Sequence, residues 1–261
     1  IGFAGSKDKN AITEQVISIY NGNENIENIQ IKDIELKYLG KGNEKIFLGS
    51  LKGNKFTITI RNLDNKKINN NEVLIPNYFG PQRFSTSNHL IGKAIVKKDF
   101  EEAIKVILST NSDYNGRIKQ HLEKKTNDFV VALKIIPLKL LKLYVHAYQS
   151  SIFNKVLEQY TKTNKKIEKI PIVGFGTESN DKIMRILLEK EKIVPRDFII
   201  RQIPELSSEG DERSAFMAVK DFKIIKQEKD ELNEGKEKLI VEFALPKGSY
   251  ATVFIDYLFR I

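Results

Sequence analysis

The stretch NYFGPQRF, residues 77–84, stands where the pattern of the sequence changes. Before it, apolar and polar residues alternate, as in KFTITIR at 55–61, which is typical of half-exposed strands. After it, from Leu90 onwards, apolar residues recur at helical spacing. The stretch itself combines Asn, Gly and Pro, which usually mark a turn, with two aromatic rings and the hydrogen-bonding side chains of Gln82 and Arg83. It is either a turn between structural units or a loop that holds a flat ligand.

The helical pattern continues to about residue 190. Its longest run, at 137–160, opens with Pro137 and has one broad apolar face, which we expect to be core. Further on, Gly174 and Gly176 predict a tight turn before a helix at about 180–190. A phosphate-binding glycine loop is the alternative there, but the full Gly-x-Gly-x-x-Gly pattern is absent. The Ser-Asn-Asp run at 179–181 serves equally well as a helix cap.

The last part of the chain returns to strand patterns. The charged segment KQEKDELNEGKEK at 226–238 lacks apolar periodicity and indicates a solvated helix or a linker. Apolar residues then alternate over 239–245, as in a strand, and recur at helical spacing over 253–258. A helical block between two sheet-rich segments predicts one α+β fold that carries an insertion.

Composition limits the classes of function. The 261 residues are 41% apolar, which is enough for a globular core. No run of about eighteen apolar residues and no leader pattern occurs, so we expect a cytoplasmic protein that does not enter a membrane. There are no cysteines, and the three histidines lack metal-ligand spacing, so we expect no thiol or metal chemistry. The net charge of +9 suits a nucleic-acid partner but favours one only slightly, because a general bias toward Lys, Asn and Ile could also raise the charge.

Three stretches occur in a fixed order: GFAGSKDKNAITEQ at 2–15, NYFGPQRF at 77–84 and FALPKGSYATV at 243–253. Each alone fits an ordinary turn or core segment. Together they resemble the TruD family of tRNA pseudouridine synthases. Its members carry Gly-Phe-Ala-Gly-(Thr or Ser)-Lys-Asp, then Asn-Tyr-Phe-Gly-x-Gln-Arg-Phe, and late in the chain Gly-Ser-Tyr-Ala-Thr. The segments at 51–61 and 89–103 also look like family segments, so the chain resembles an archaeal-like member over nearly its whole length.

The resemblance implies an α+β fold in two parts. A pseudouridine synthase domain with a mixed or antiparallel sheet would comprise 1–88 and 236–261, and a largely helical insertion domain would occupy 89–235. Family members begin with further strands, so we expect an N-terminally incomplete chain. We expect a monomer, with tRNA as its partner and, by family analogy, uridine 13 as its target.

Carried over by position, the family's catalytic aspartate falls on Asp8, and its active-site Asn and Phe fall on Asn77 and Phe79. Conversion of uridine to pseudouridine breaks the N1–C1′ bond, turns the uracil and joins C5 to C1′. A carboxylate suits this chemistry, because it can attack C1′ or stabilise positive charge there, and the bound ring requires no cofactor. Asn77 would bond the uracil edge or orient Asp8, and Phe79 would stack on the flipped base. The further substrate-binding candidates are Lys7, Gln82, Arg83, Phe243 and Leu245, the last two as an apolar wall.

These residues are far apart in sequence, so we predict that Asp8, Asn77 and Phe79 converge at one cleft between the two parts. The chain departs from the family pattern at Ser85, where Gly is frequent, and at 256–257, where Asp-Tyr replaces Arg-Glu. We expect these departures to affect specificity rather than chemistry. The alternative from another class is an RNA-binding protein or RNA chaperone on the same fold with weak or no catalysis. A generic basic domain would leave the ordered motifs unexplained.

Overall fold

A computed structural model describes residues 1–64, 74–163, 165, 167–178 and 181–259. Its strands are β1 (Gly2–Phe3), β2 (Ile17–Ser18), β3 (Gly53–Leu63), β4 (Leu74–Pro76), β5 (Lys169–Ile172), β6 (Asp211–Ser214), β7 (Phe216–Ala218), β8 (Lys220–Lys229) and β9 (Glu237–Pro246). Its α-helices are α1 (Pro81–Phe84), α2 (Asn88–Val96), α3 (Phe100–Leu108), α4 (Asn115–Lys124), α5 (Phe129–Lys134), α6 (Leu138–Lys162), α7 (Lys182–Glu191) and α8 (Ala251–Leu258). Short 3-10 helices lie at Glu24–Asn28, Pro195–Phe198 and Pro204–Leu206. No helix among the described residues is long and apolar enough to cross a membrane.

The largest sheet is antiparallel, with the order β3–β9–β8. Every second residue of β9 is buried, as the alternation at 239–245 predicts, so one face of the sheet forms core and the other faces outward. On the buried face Phe243 stacks on Phe56 across the strands and meets Phe254 of α8 at a ring-centroid distance of 4.6 Å. Helix α8 thereby covers this sheet.

The charged segment at 226–238 is not a helix or a linker, so that prediction was wrong. Its first residues complete β8, and the remainder turns back into β9. The sequence shows no alternation of apolar and polar residues here because β8 is an edge strand whose side chains are mostly exposed on both faces. Lysines are frequent on such edge strands. At the turn, buried Asp230 accepts hydrogen bonds from Arg61, Asn233 and the main chain of residues 62 and 232.

Helix α6 forms the centre of the helical block, and its broad apolar face is buried as predicted. Helix α2 packs directly against it at Gly92. A Cβ atom at that position would lie 1.9 Å from the carbonyl oxygen of Tyr144, so only glycine permits this approach. The predicted turn at 174–177 and helix at 182–191 are also present, and Asp181 caps the helix by accepting from the main chain of Met184. Residues 179 and 180 lie outside the described part.

The buried apolar residues form two clusters that match the two parts of the sequence pattern. The helical cluster contains Phe79 and runs from 91 to 215. The sheet cluster contains Ile75 and the buried residues of β7, β9 and α8. Met217 of β7 and Phe222 of β8 pack with the sheet cluster. The division into domains itself stays a prediction.

Candidate functional site

The 77–84 loop lies where the helical block meets the C-terminal segment. Asn154 of α6 holds it in place with both ends of its side-chain amide. Its Oδ1 accepts from the main-chain N–H of Phe79 at 2.9 Å, and its Nδ2 donates to the Phe79 carbonyl oxygen at 2.9 Å. The hydroxyl groups of Tyr78 and Thr161 form a further hydrogen bond between the loop and α6, at 3.3 Å. The main chain of Phe79 is thus fixed by a helix whose own position is set by the core.

The other side of the loop contacts the C-terminal segment. A Cβ at Gly80 would lie 2.8 Å from the ring of Tyr250, so the glycine lets the loop pass close to that ring. Gln82 makes a 3.2 Å hydrogen bond with Thr252 at the start of α8. The 77–84 loop therefore contacts both the helical block and the C-terminal segment, and hydrogen bonds to both hold it in place.

The ring of Phe79 is 7% exposed and belongs to the helical cluster. Phe153 and Tyr250 approach it edge-to-face, with centroid distances of 5.3 and 6.1 Å. Two guanidinium groups complete its surroundings. The Cζ atom of Arg213 lies 4.2 Å from the ring centroid and that of Arg83 lies 5.4 Å from it. Both distances fall in the range of cation–π contacts.

Arg213, on β6, connects this ring to Asn77. It donates from Nη2 to the Asn77 Oδ1 at 2.6 Å, from Nε to the Asn77 carbonyl oxygen at 3.2 Å, and from Nη1 to the Gly248 carbonyl oxygen at 2.9 Å. Asn77 itself is 5% exposed. Arg213 was not predicted from the sequence, because one arginine in the charged run DERS at 211–214 carries no signal of its own. Arg213 reaches the 77–84 loop because β6 pairs with β5, with Arg213 opposite Ile170, and this pairing exists only in the folded protein.

The site is electropositive. The pKa of Arg213 is lowered to about 10, mainly because its guanidinium is buried and also because Arg83 is close. The Nε atom of Arg83 is buried and has no hydrogen-bond partner within the described part of the chain. Cations that repel one another in this way favour an anionic ligand.

A cavity of about 620 Å³ opens beside the loop. This volume is within the range of small-ligand pockets. Its wall combines aromatic rings with polar and charged side chains, and it includes all three positions at which the sequence departs from the family pattern. Its lining includes Tyr78, Phe79, Phe84, Ser85, His89, Asn154, Lys155, Asp256 and Tyr257.

Asp8 lies in an exposed loop, residues 4–16, between β1 and β2. The Asp8 loop is attached at two points. The Lys7 ammonium donates to the side chain of Asn54 at 3.1 Å, and Gly49 donates from its main chain to the Ala4 carbonyl oxygen at 2.8 Å. Asn54 is paired with Leu245 on β9, three residues before the Gly248 that Arg213 contacts. Among the described residues the Asp8 side chain has no hydrogen-bond or ion-pair partner.

The predicted site residues thus fall into three groups. Asn77, Phe79 and Arg83 lie together around Arg213, with Gln82 at the edge of the same loop. Lys7 and Asp8 lie on the exposed loop that is tied to β3. Phe243 and Leu245 are buried in the sheet cluster, so their role as an apolar wall stays a prediction.

Comparison with known proteins places these residues in a family. The family model described as tRNA pseudouridine synthase D (TruD) matches residues 1–119, 109–172 and 169–257, including the Asp8 loop and the 77–84 loop. The chain belongs to the TruD family. Its relatives include proteins named tRNA pseudouridine synthase D from Methanosarcina barkeri, at 31% identity over 100% of this chain and 81% of the relative, and from Nanoarchaeum equitans, at 32% identity over 99% and 79%.

A solved structure of a TruD protein from Methanosarcina mazei superposes with a TM-score of 0.77 at 28% identity, covering 100% of this chain and 81% of that one. The α+β fold is therefore that of the TruD family. The alignment with the Methanosarcina barkeri relative runs over 357 positions, more than the 261 residues of this chain. The relative consequently has segments within the aligned region that this chain lacks.

Proposed function

We propose that this protein is a tRNA pseudouridine synthase that isomerises a specific uridine, with uridine 13 as the first candidate. The match to the TruD family model over nearly the whole chain carries the proposal, because it includes both loops that the chemistry needs. The electropositive surroundings of Phe79 agree with an RNA substrate, whose phosphates require neutralisation. We further propose that the enzyme acts as a cytoplasmic monomer.

The target base would be extruded from the RNA and held against the 77–84 loop. Unstacking a base costs a few kcal/mol, and contact with an aromatic ring returns about 1–3 kcal/mol. Phe79 contributes its ring to the wall of the cavity, whose volume of about 620 Å³ is ample for a nucleoside. One face of that ring is already covered by Arg213, so the base would use what remains exposed toward the cavity.

Asp8 would supply the reacting carboxylate. The N1–C1′ bond of the uridine breaks, and the carboxylate either bonds to C1′ or stabilises the positive charge there. The detached uracil turns and its C5 bonds to C1′, and where the carboxylate had bonded to C1′ that bond breaks, which returns the free carboxylate. The C5 proton is lost and N1 gains one, so the overall reaction is an isomerisation. Because the Asp8 side chain is exposed, it is accessible to a substrate that binds over the Asp8 loop.

The test is to incubate the protein with unmodified tRNA and to map pseudouridine by carbodiimide treatment or mass spectrometry. We expect one modified uridine with the wild-type protein and none with Asp8→Asn. Tight RNA binding without any pseudouridine would instead support the RNA-binding alternative and contradict the proposal.

A further inference from the structure

The guanidinium of Arg213 bonds to the two segments that adjoin the Phe79 ring, at Asn77 and at Gly248. All three of its hydrogen bonds go to oxygen atoms of Asn77 and Gly248, and its planar group covers the ring of Phe79. Within the described ranges it has no carboxylate partner. A partly buried guanidinium without a counter-ion is costly, so neutral acceptors and an aromatic face must offset that cost.

The hydrogen bonds around Asn77 fix which way its side-chain amide points. Its Oδ1 accepts from Arg213 at 2.6 Å and is 3.3 Å from the Ser249 hydroxyl, while its Nδ2 donates to the Ser214 carbonyl oxygen at 3.0 Å. Turning the amide over would place an NH2 group against a guanidinium and an oxygen against a carbonyl oxygen. Both contacts would be repulsive, so Arg213 and Ser214 together select one orientation.

In this orientation most of the hydrogen-bonding groups of the Asn77 side-chain amide already have partners. An asparagine amide has two N–H donors and two acceptor lone pairs. Both lone pairs of Oδ1 are occupied, and one N–H bonds Ser214. Counting partners among the described residues, one side-chain N–H of Asn77 remains, so whatever Asn77 binds in the reaction must be an acceptor, such as a uracil carbonyl or the Asp8 carboxylate.

We propose that Arg213 is a positioning residue of the pseudouridine reaction, which holds the Asn77 amide so that its one remaining N–H donates to an acceptor at the reacting uridine. The proposal rests on the proposed function. It gives Arg213 a role through Asn77 rather than a direct contact with an RNA phosphate, and these two roles have different kinetic consequences.

The decisive variants are Arg213→Met, which removes the donors and keeps the length, and Arg213→Lys, which keeps the charge but not the planar fork. We expect kcat to fall about 10- to 100-fold for Arg213→Met, with KM within about threefold of wild type. Arg213→Lys should recover little of that loss and, if Arg213→Met does not fold, serves as the test by itself. The matched control Arg201→Met, at an exposed arginine of the same region, should leave both constants unchanged.

A double-mutant cycle checks that Arg213 acts through Asn77. In an Asn77→Ala background, Arg213→Met should lower kcat by less than about threefold, because the partner that it positions is gone. The proposal would be overturned if the kcat losses of Arg213→Met and Asn77→Ala simply multiplied in the double variant. So would a rise in KM alone that Arg213→Lys reverses, since that indicates a phosphate contact. Wild-type turnover with an unimpaired Arg213→Met enzyme refutes this inference only, whereas absence of wild-type turnover overturns the proposed function and the inference together.

Discussion

The two loops that the reaction would need are built in opposite ways. The 77–84 loop is clamped by Asn154, Arg213 and Thr252, and its Phe79 ring is buried. The Asp8 loop is exposed and attached mainly through Lys7 and Ala4, and Asp8 itself is unpartnered within the described residues. We infer from this difference that the proposed base-holding loop is organised before the substrate binds, and we predict that the Asp8 carboxylate gains its partners from the bound RNA.

This comparison predicts that the two loops respond differently to substitution. Substitution of Asp8 should affect turnover without affecting folding, because the Asp8 side chain is exposed and, within the described part of the chain, makes no contact that stabilises the fold. Changes around the 77–84 loop should affect both, because the same contacts hold the core and the site. Stability and activity must therefore be measured on each variant.

The largest expected effect is that of Asp8→Asn. The amide is nearly isosteric but cannot act as a nucleophile or base, so we expect turnover to fall by about 10²–10⁴-fold or more. The melting temperature should not change, and RNA affinity should stay within a few-fold of wild type. Single-turnover assays and thermal unfolding measure this, with Asp113→Asn, at another exposed aspartate, as the control. Substantial residual turnover would remove Asp8 from the mechanism.

Phe79→Ala should lower both the stability of the protein and its turnover. Removing a buried Phe side chain costs about 3–5 kcal/mol of unfolding free energy, and loss of base stacking costs about a further 1–3 kcal/mol in transition-state binding. Phe79→Leu keeps most of the volume and should retain the fold and part of the activity. If the folded fraction of Phe79→Ala keeps the wild-type rate, the ring serves only as core.

Asn154→Ala should have an intermediate effect, because it removes both hydrogen bonds to the main chain of Phe79. We expect a loss of about 1–3 kcal/mol in stability. The rate of the folded enzyme should also fall, since the loop is no longer held. Chemical denaturation and kinetics on the same preparation report the two effects. An unchanged rate would mean that the loop keeps its geometry without the two hydrogen bonds from Asn154.

The smallest expected effect is a gain. Ser85 has a φ of 46° and a ψ of −130°, a conformation that only glycine adopts easily. Ser85→Gly should stabilise the protein by about 1 kcal/mol, because it removes that strain. A rise in melting temperature would confirm the strain. A fall would show that the Ser85 side chain has an interaction worth more than the strain it imposes.

Much of the fold could be predicted from periodicity. The strand at 239–245, the long helix with its buried face and the helix cap at Asp181 follow directly from local patterns, because each is set by neighbours in sequence. Strand β8 was missed because its exposed, lysine-rich edge hides the alternation. Arg213 was missed for a different reason: its role depends on the pairing of β5 with β6, which brings it to a loop more than a hundred residues away.

The site shows the same limit. Motif resemblance predicts Asn77 and Phe79 as site residues, and in the structure both contact Arg213, while their roles stay a prediction. Local sequence does not report that the Asn77 amide is almost fully bonded, or that one face of the Phe79 ring is covered by a guanidinium. Both facts depend on side chains from distant segments, and both limit how a uridine can bind.

The most direct test of the account is a crystal structure of the Asp8→Asn protein bound to its tRNA substrate. We expect one extruded uridine whose base contacts Phe79 and whose C1′ lies within about 3–3.5 Å of the side chain at position 8. This expectation would be contradicted if position 8 lay more than roughly 10 Å from the Phe79 ring in that complex, because the two could not then act on one uracil.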